Sequence, residues 1–161
     1  DGQLVLRRAA KNTVVSSGAE LLANLFCGKL LTPVNGIAVG TNNIPLSPPF
    51  ELGDLTSTDS SGQPALTRAA AVIPIADFSI DRPEGEQRVR VTVRSVLPAD
   101  AAVHPDETQD PAYLGEAALG VLSADGTRLE HIYNRVVFDQ IPKDRRHELS
   151  LYWEISFPFG T

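Results

Sequence analysis

The side chains able to do chemistry are few and scattered. His104, His131 and His147 supply the imidazoles, and Cys27 is the one thiol. A zinc site needs several such ligands at close pairwise spacing, and no two of these stand close enough. Neither a metal nor a cofactor is expected, and the histidines read as surface or interface residues. Ser16 and Ser17 precede Gly18, but the G-x-S-x-G elbow of a hydrolase is missing. Ser17 and Glu20 instead have the S-x-x-E spacing of a helix capping box. Cys27 lies between Phe26 and Gly28 and reads as a packing residue, because free cysteine is among the most buried residue types. Gly28-Lys29 is followed by Leu30 where a phosphate loop needs Ser or Thr, and Ala23 holds the place of its first glycine. Carboxylates gather at Glu51, Asp54 and Asp59 and again at Asp106, Glu107 and Asp110. Neither group has the residue order of a calcium loop, so solvated loops are expected. No catalytic residue is nominated, and a hydrolase would have to assemble from unmarked side chains.

Charge narrows the partners. The 161 residues carry 14 Lys+Arg against 20 Asp+Glu, a formal net charge of −6. Nucleic acid is excluded as the main partner, because phosphate binding needs concentrated positive charge. No apolar run approaches the 18 or so residues of a membrane helix, so no membrane insertion is expected. Hydrophobic residues make up 42% of the chain, enough for one core, and a single domain over 1–161 is expected. No signal segment is expected, and Asp1 in place of methionine reads as a missing or processed start.

One helix is predicted over 16–31. Ala19, Leu22, Phe26 and Leu30 recur at three- and four-residue steps, widened by Leu21 and Leu25, and Gly28 reads as a stop. This helix is expected to lie flat on a larger apolar surface. GIAVG at 36–40 reads as a strand. The Asn-, Pro-, Ser- and Gly-rich stretch 41–65 reads as a long loop draped over the body. Strands are predicted within 66–97, with Pro74 marking an edge or a bulge. Val89, Val91 and Val93 share one face there; Arg88, Arg90, Thr92 and Arg94 share the other. A second loop covers 98–112. A three-stranded meander is predicted over 114–157, turning at Asp125-Gly126 and around Pro142. In its last strand Leu149, Leu151, Trp153, Ile155 and Phe157 alternate with polar neighbours, a period that no helix can use. The predicted core is therefore Leu22, Phe26, Val89, Val91, Val93, Leu149, Leu151, Trp153, Ile155 and Phe157. The fold class is mainly β: an antiparallel β-sandwich or strongly bent sheet with one N-terminal amphipathic helix packed on it.

The arginine row has two readings. Arg88, Arg90 and Arg94 can face cross-strand acids such as Glu148 and Glu154, or they can line a subunit interface, where arginine is enriched. Tyr152, His131 and Tyr133 are the further interface candidates. In the two long loops, Phe50, His104 and Tyr113 are the candidates for surface contact, including contact with a cell-surface glycan.

Two segments together resemble a known family. NTVVSSGAELLANLFCGKLLTPVNGIAVGTNN (12–43) is similar to the helix and "IAVGTG"-type strand that open a family of small phage tail-module proteins, described as tail-fibre or tail-associated. LGEAALGVLSADGTRLEHIYNRVVFDQIPKDRRHELSLYWEISF (114–157) is similar to that family's closing meander. Glu116, Ala117, Asp125, Gly126, Arg135, Val137, Phe138, Pro142, Lys143, Leu149, Trp153, Ile155 and Phe157 stand in its motif positions. The likeness covers both ends, about half the chain. Ala118-Leu119-Gly120 departs from the family's Gly-Leu-Phe, and Asn42 stands where glycine is common. The resemblance implies a non-enzymatic structural part of a phage tail or phage-derived contractile injection particle. It also implies a virion or particle location after synthesis in the bacterial cytoplasm, other tail proteins as partners, and a homo-oligomer. A carbohydrate- or surface-binding module on a fibre tip is the alternative reading.

Overall fold

The computed structural model describes residues 6–7, 9–30, 32–52, 55 and 65–160. Among these residues eight strands and one α-helix follow in the order β1 (Asn12–Val14), α1 (Ser16–Phe26), β2 (Gly36–Gly40), β3 (Ala70–Val72), β4 (Phe78–Asp81), β5 (Arg88–Leu97), β6 (Ala112–Leu122), β7 (Leu129–Lys143) and β8 (Leu149–Pro158). They form two antiparallel sheets, one of order β1-β7-β6-β2-β3 and one of order β4-β5-β8. The mainly β class with an N-terminal helix is as predicted.

Alternation explains the layers. Ile37, Val39 and Leu119 point from the five-stranded sheet into a core shared with Val93, Leu97 and Trp153 of the other sheet. Ala38 and Ala118, one residue out of phase, point the opposite way and meet Val15, Leu55, Leu129 and Ile132. GIAVG is buried at all five positions because its sheet is covered on both faces. Leu46 and Leu52 pack on that second cluster, so the 41–65 loop is draped over the body where it is described. Pro74 follows β3, an edge strand, where its missing donor costs no ladder bond.

The meander needs correction. β6 and β7 pair across the Asp125-Gly126 turn, but β8 leaves that sheet and pairs with β5 over its whole length, Arg88↔Pro158 to Leu97↔Leu149. Alternation fixes which face a strand buries and says nothing of its neighbour; both sheets offer β8 the same apolar side. The run 66–80 is likewise two strands that belong to different sheets.

The helix also departs from prediction. It ends at Phe26, with Cys27 as C-cap, and Gly28 follows at φ 69°, the left-handed conformation that makes glycine a helix stop. The capping box does not form. Val15 is the N-cap without a side-chain bond, and the Ser17 hydroxyl donates to the Ile132 carbonyl at 2.7 Å. Gly18 and Leu21 are the buried helix residues, so the buried stripe is rotated from the predicted one. Leu22 is 38% exposed and Phe26 93% exposed, and Cys27 is exposed. The physical reason is close approach. A Cβ at Gly18 would overlap the Tyr133 carbonyl, so β7 touches the helix backbone there, and the seam must run through Gly18 whatever the apolar spacing favours.

Candidate functional site

Among the described residues, the buried charged side chains lie on β6 and β7. Glu116 and Arg135 are 3% and 4% exposed, and Lys143 is 2% exposed. Arg135 opposes Ala118, two residues from Glu116, which sets both on the face covered by the 41–52 segment. Arg135 Nε donates to Glu116 Oε2 at 2.7 Å. Its Nη1 and Nη2 reach the carbonyls of Ile44 at 2.8 Å and Asn42 at 2.9 Å. A planar guanidinium offers five donors in a fixed fork, so one side chain holds a carboxylate and fastens the strand-to-loop exit of β2 over the sheet.

Lys143 Nζ donates to the Ala99 and Asp144 carbonyls at 2.8 and 3.0 Å. Burial lowers its pKa, against the pull of Asp144. Arg145 donates to Asp110 Oδ1 at 2.6 Å and to the His104 carbonyl at 2.5 Å. The 98–110 segment is thus pinned at both ends by two neighbouring cations. It is also less polar in role than its composition suggests, since Ala101, Ala102 and Val103 are buried and Thr67 bridges to Val103. Asp106 caps a short turn at Glu107–Gln109 by accepting from the Thr108 amide. Asp106 is thereby bonded to Thr108, as Asp110 is to Arg145. Asp54 and Asp59 lie outside the described residues. No group of three or more potential metal ligands occurs among the described residues.

The arginine row resolves into structural pairs at two of its three members. Arg88 pairs with Glu86 and, at 2.8 Å, with Glu154 across the β5–β8 pair. Arg90 makes a two-pronged contact with Asp81 on β4, at 2.9 and 2.5 Å. Arg94 is exposed and has no acid partner among the described residues. Tyr152, its cross-strand neighbour, is 66% exposed. Tyr133 is corrected: it is 6% exposed, and burial raises its hydroxyl pKa. It lies beneath α1, where its carbonyl accepts the Val15 amide. His131 lines an open depression of about 520 Å³ between the β6–β7 turn and the segment after α1, with Asn35, Asp125 and Glu130. Asp125 is consumed by the turn, accepting from the Ser123 and Thr127 hydroxyls and the Thr127 amide; these bonds hold its pKa down to about 2.

The loop candidates are separated. Phe50 is 38% exposed, and its carbonyl accepts the Ser16 amide at the start of α1. His104 is half-buried at the Arg145 pin. Tyr113 is 51% exposed on β6, opposite Pro142.

The predicted core of the three-stranded sheet is graded. Val93 and Trp153 are 0% and 5% exposed, while Phe157 is 40% exposed. Val89, Val91, Leu149, Leu151 and Ile155 are half-buried. Ile80, beside Val91 on β4, is 74% exposed. The apolar inner face of this sheet therefore runs on past the layer that covers it. Among the aromatic groups at that end, Phe159 lies under Arg82, whose guanidinium carbon is 4.9 Å from the ring centre. The buried Glu116–Arg135 pair and the uncovered sheet end were both missed from sequence. A charged residue in a strand looks solvated until the covering loop is placed, and alternation does not say where a cover stops. No family model, curated protein or solved structure matches this chain.

Proposed function

We propose that the chain is a non-enzymatic structural and assembly protein of a phage tail or tail-like particle, working through protein–protein contacts. One observation carries the assembly part: one apolar sheet face continues from the covered Val93 and Trp153 through the half-buried Val91 and Val89 to the exposed Phe157 and Ile80. Contiguous exposed apolar surface of this kind marks interaction sites. The fastened loops support the same reading, since Arg135, Lys143 and Arg145 give the sandwich fixed outer contours on which contacts can be repeated from copy to copy. The tail assignment rests on the resemblance of 12–43 and 114–157, whose motif residues lie in α1, β2 and β6 to β8.

The test is incorporation. Tail-like particles purified from the producing bacterium are expected to carry this chain at a fixed copy number, visible as density by electron microscopy. A double change, Ile80→Ser with Phe157→Ser, is expected to leave the isolated protein folded and to remove it from the particles. Particles with no density for the unaltered chain overturn the reading.

A further inference from the structure

Each sheet edge exposes a row of backbone donors and acceptors, and natural proteins guard such edges, often by keeping them short. Here β1 and β3 have three residues each and β4 has four; β8 has ten. Among the described residues β8 has β5 on one side and no strand on the other. It carries no lysine, and the β5–β8 register runs without a bulge.

The phase of its hydrogen bonds can be fixed. Phe159 donates its amide to the Gln87 carbonyl at 3.0 Å, one step beyond the Arg88↔Pro158 pair. Bonded and non-bonded pairs alternate in an antiparallel ladder, so the odd-numbered residues of β8 bond to β5. Ser150, Tyr152, Glu154 and Ser156 then direct their amides and carbonyls outward. Pro158 falls in the same outward phase and ends the row of donors.

We infer that this edge pairs antiparallel with β8 of a second copy, across a two-fold axis at Trp153, to make one six-stranded sheet. Self-complementarity singles out that occupant and that register. With the axis at Trp153, Ser150 meets the second copy's Ser156 and Tyr152 meets its Glu154, so all four outward residues are paired reciprocally. An axis at Glu154 sets that carboxylate against its own copy, which is repulsive. An axis at Ile155 puts Tyr152 opposite Pro158, which has no donor. In the favoured register Leu149 lies beside Phe157 of the second copy and Leu151 beside Ile155, covering half-exposed apolar groups. Glu154 comes next to the Tyr152 whose β5 neighbour is Arg94, the row's arginine with no acid partner among the described residues. Two-fold pairing of one patch with itself is the commonest closed arrangement of identical chains.

This deepens the assembly reading and rests on it for its purpose, but it can fail separately. The isolated protein is expected to sediment as a dimer, and amide exchange is expected to slow with protein concentration at Tyr152 and Glu154 and not at Trp153 or Ile155. Tyr152→Pro removes an outward donor that the fold does not use. It is expected to keep the far-ultraviolet spectrum and raise the dimer dissociation constant roughly 30-fold, since each dimer loses two symmetric bonds. Should that variant fold poorly, Glu154→Lys is expected to weaken the dimer and Arg94→Glu added to it to restore affinity. A folded monomer at every soluble concentration overturns the pairing, as does a dimer whose Tyr152 and Glu154 amides exchange freely. A monomer that takes up a foreign extended peptide along β8 also overturns it. None of these three results touches incorporation into particles, which tests the assembly reading by itself.

Discussion

At the residue scale, Arg135 has the largest calculable consequence. It bonds one buried carboxylate and two loop carbonyls, so removing it takes a buried guanidinium away from the Glu116 charge inside the fold. Breaking a buried pair from one side costs about 3–5 kcal/mol, whereas replacing both partners by apolar groups of similar volume is often close to neutral. Arg135→Leu is expected to lose stability in that range by urea unfolding. Adding Glu116→Leu is expected to recover a good part of the loss, though not all of it, because the Asn42 and Ile44 carbonyls still lack donors. Additive losses in the double variant would show that the two side chains are not coupled. Both stand at motif positions of the family resemblance, but nothing in sequence announced their burial or their pairing. Glu116 and Arg135 sit in strands that read as ordinary, and their burial follows from the 41–52 segment folding back over them.

At the element scale, the helix shows how packing overrides pattern. The spacing of Leu22 and Phe26 predicted a buried stripe, and the structure buries Gly18 and Leu21 instead. A helix can approach a strand this closely only along a line of small residues, and Gly18 supplies the contact with the Tyr133 backbone. Gly18→Ala is therefore expected to destabilise the protein by about 1–3 kcal/mol or more, the usual range for overpacking. Phe26→Ser is expected to change stability by less than about 0.5 kcal/mol, as at other exposed sites. Thermal unfolding of both variants decides it; a large loss from Phe26→Ser with none from Gly18→Ala would restore the predicted face. The strands were more legible. Trp153 is buried and Tyr152 exposed as strict alternation requires, because a pleated strand has a side-chain period of two in any sheet.

At the scale of the whole molecule, acid sensitivity follows from two turn carboxylates. Asp125 is held at about 2 by the Ser123 and Thr127 hydroxyls and the Thr127 amide. Asp144 is held at about 2 chiefly by the Arg146 amide, with help from His147. Both ordinarily titrate at 3.8. Between those values the unfolded chain binds more protons than the folded one. The stabilisation is accordingly complete above 3.8 and is lost as pH falls toward 2. The urea midpoint is expected to drop through that window, and Asp125→Asn and Asp144→Asn together are expected to flatten the drop. An unchanged pH profile in the double variant would assign acid sensitivity to other groups.

The sequence by itself determined the class of the fold, the strand faces, the Asp125-Gly126 turn, the helix stop at Gly28 and the loop character of 41–52 and of the second long connection. These depend on neighbours within a few residues: side-chain alternation, local hydrogen bonding and the φ angles that glycine permits. Tertiary structure alone decided that β8 joins β5 rather than β7, that Gly18 and not Phe26 faces the sheet, that Glu116 and Arg135 are buried together, and that one sheet end and the β8 edge have no further cover among the described residues. Those outcomes depend on which surfaces meet, and residues far apart in the chain leave no periodic trace of meeting.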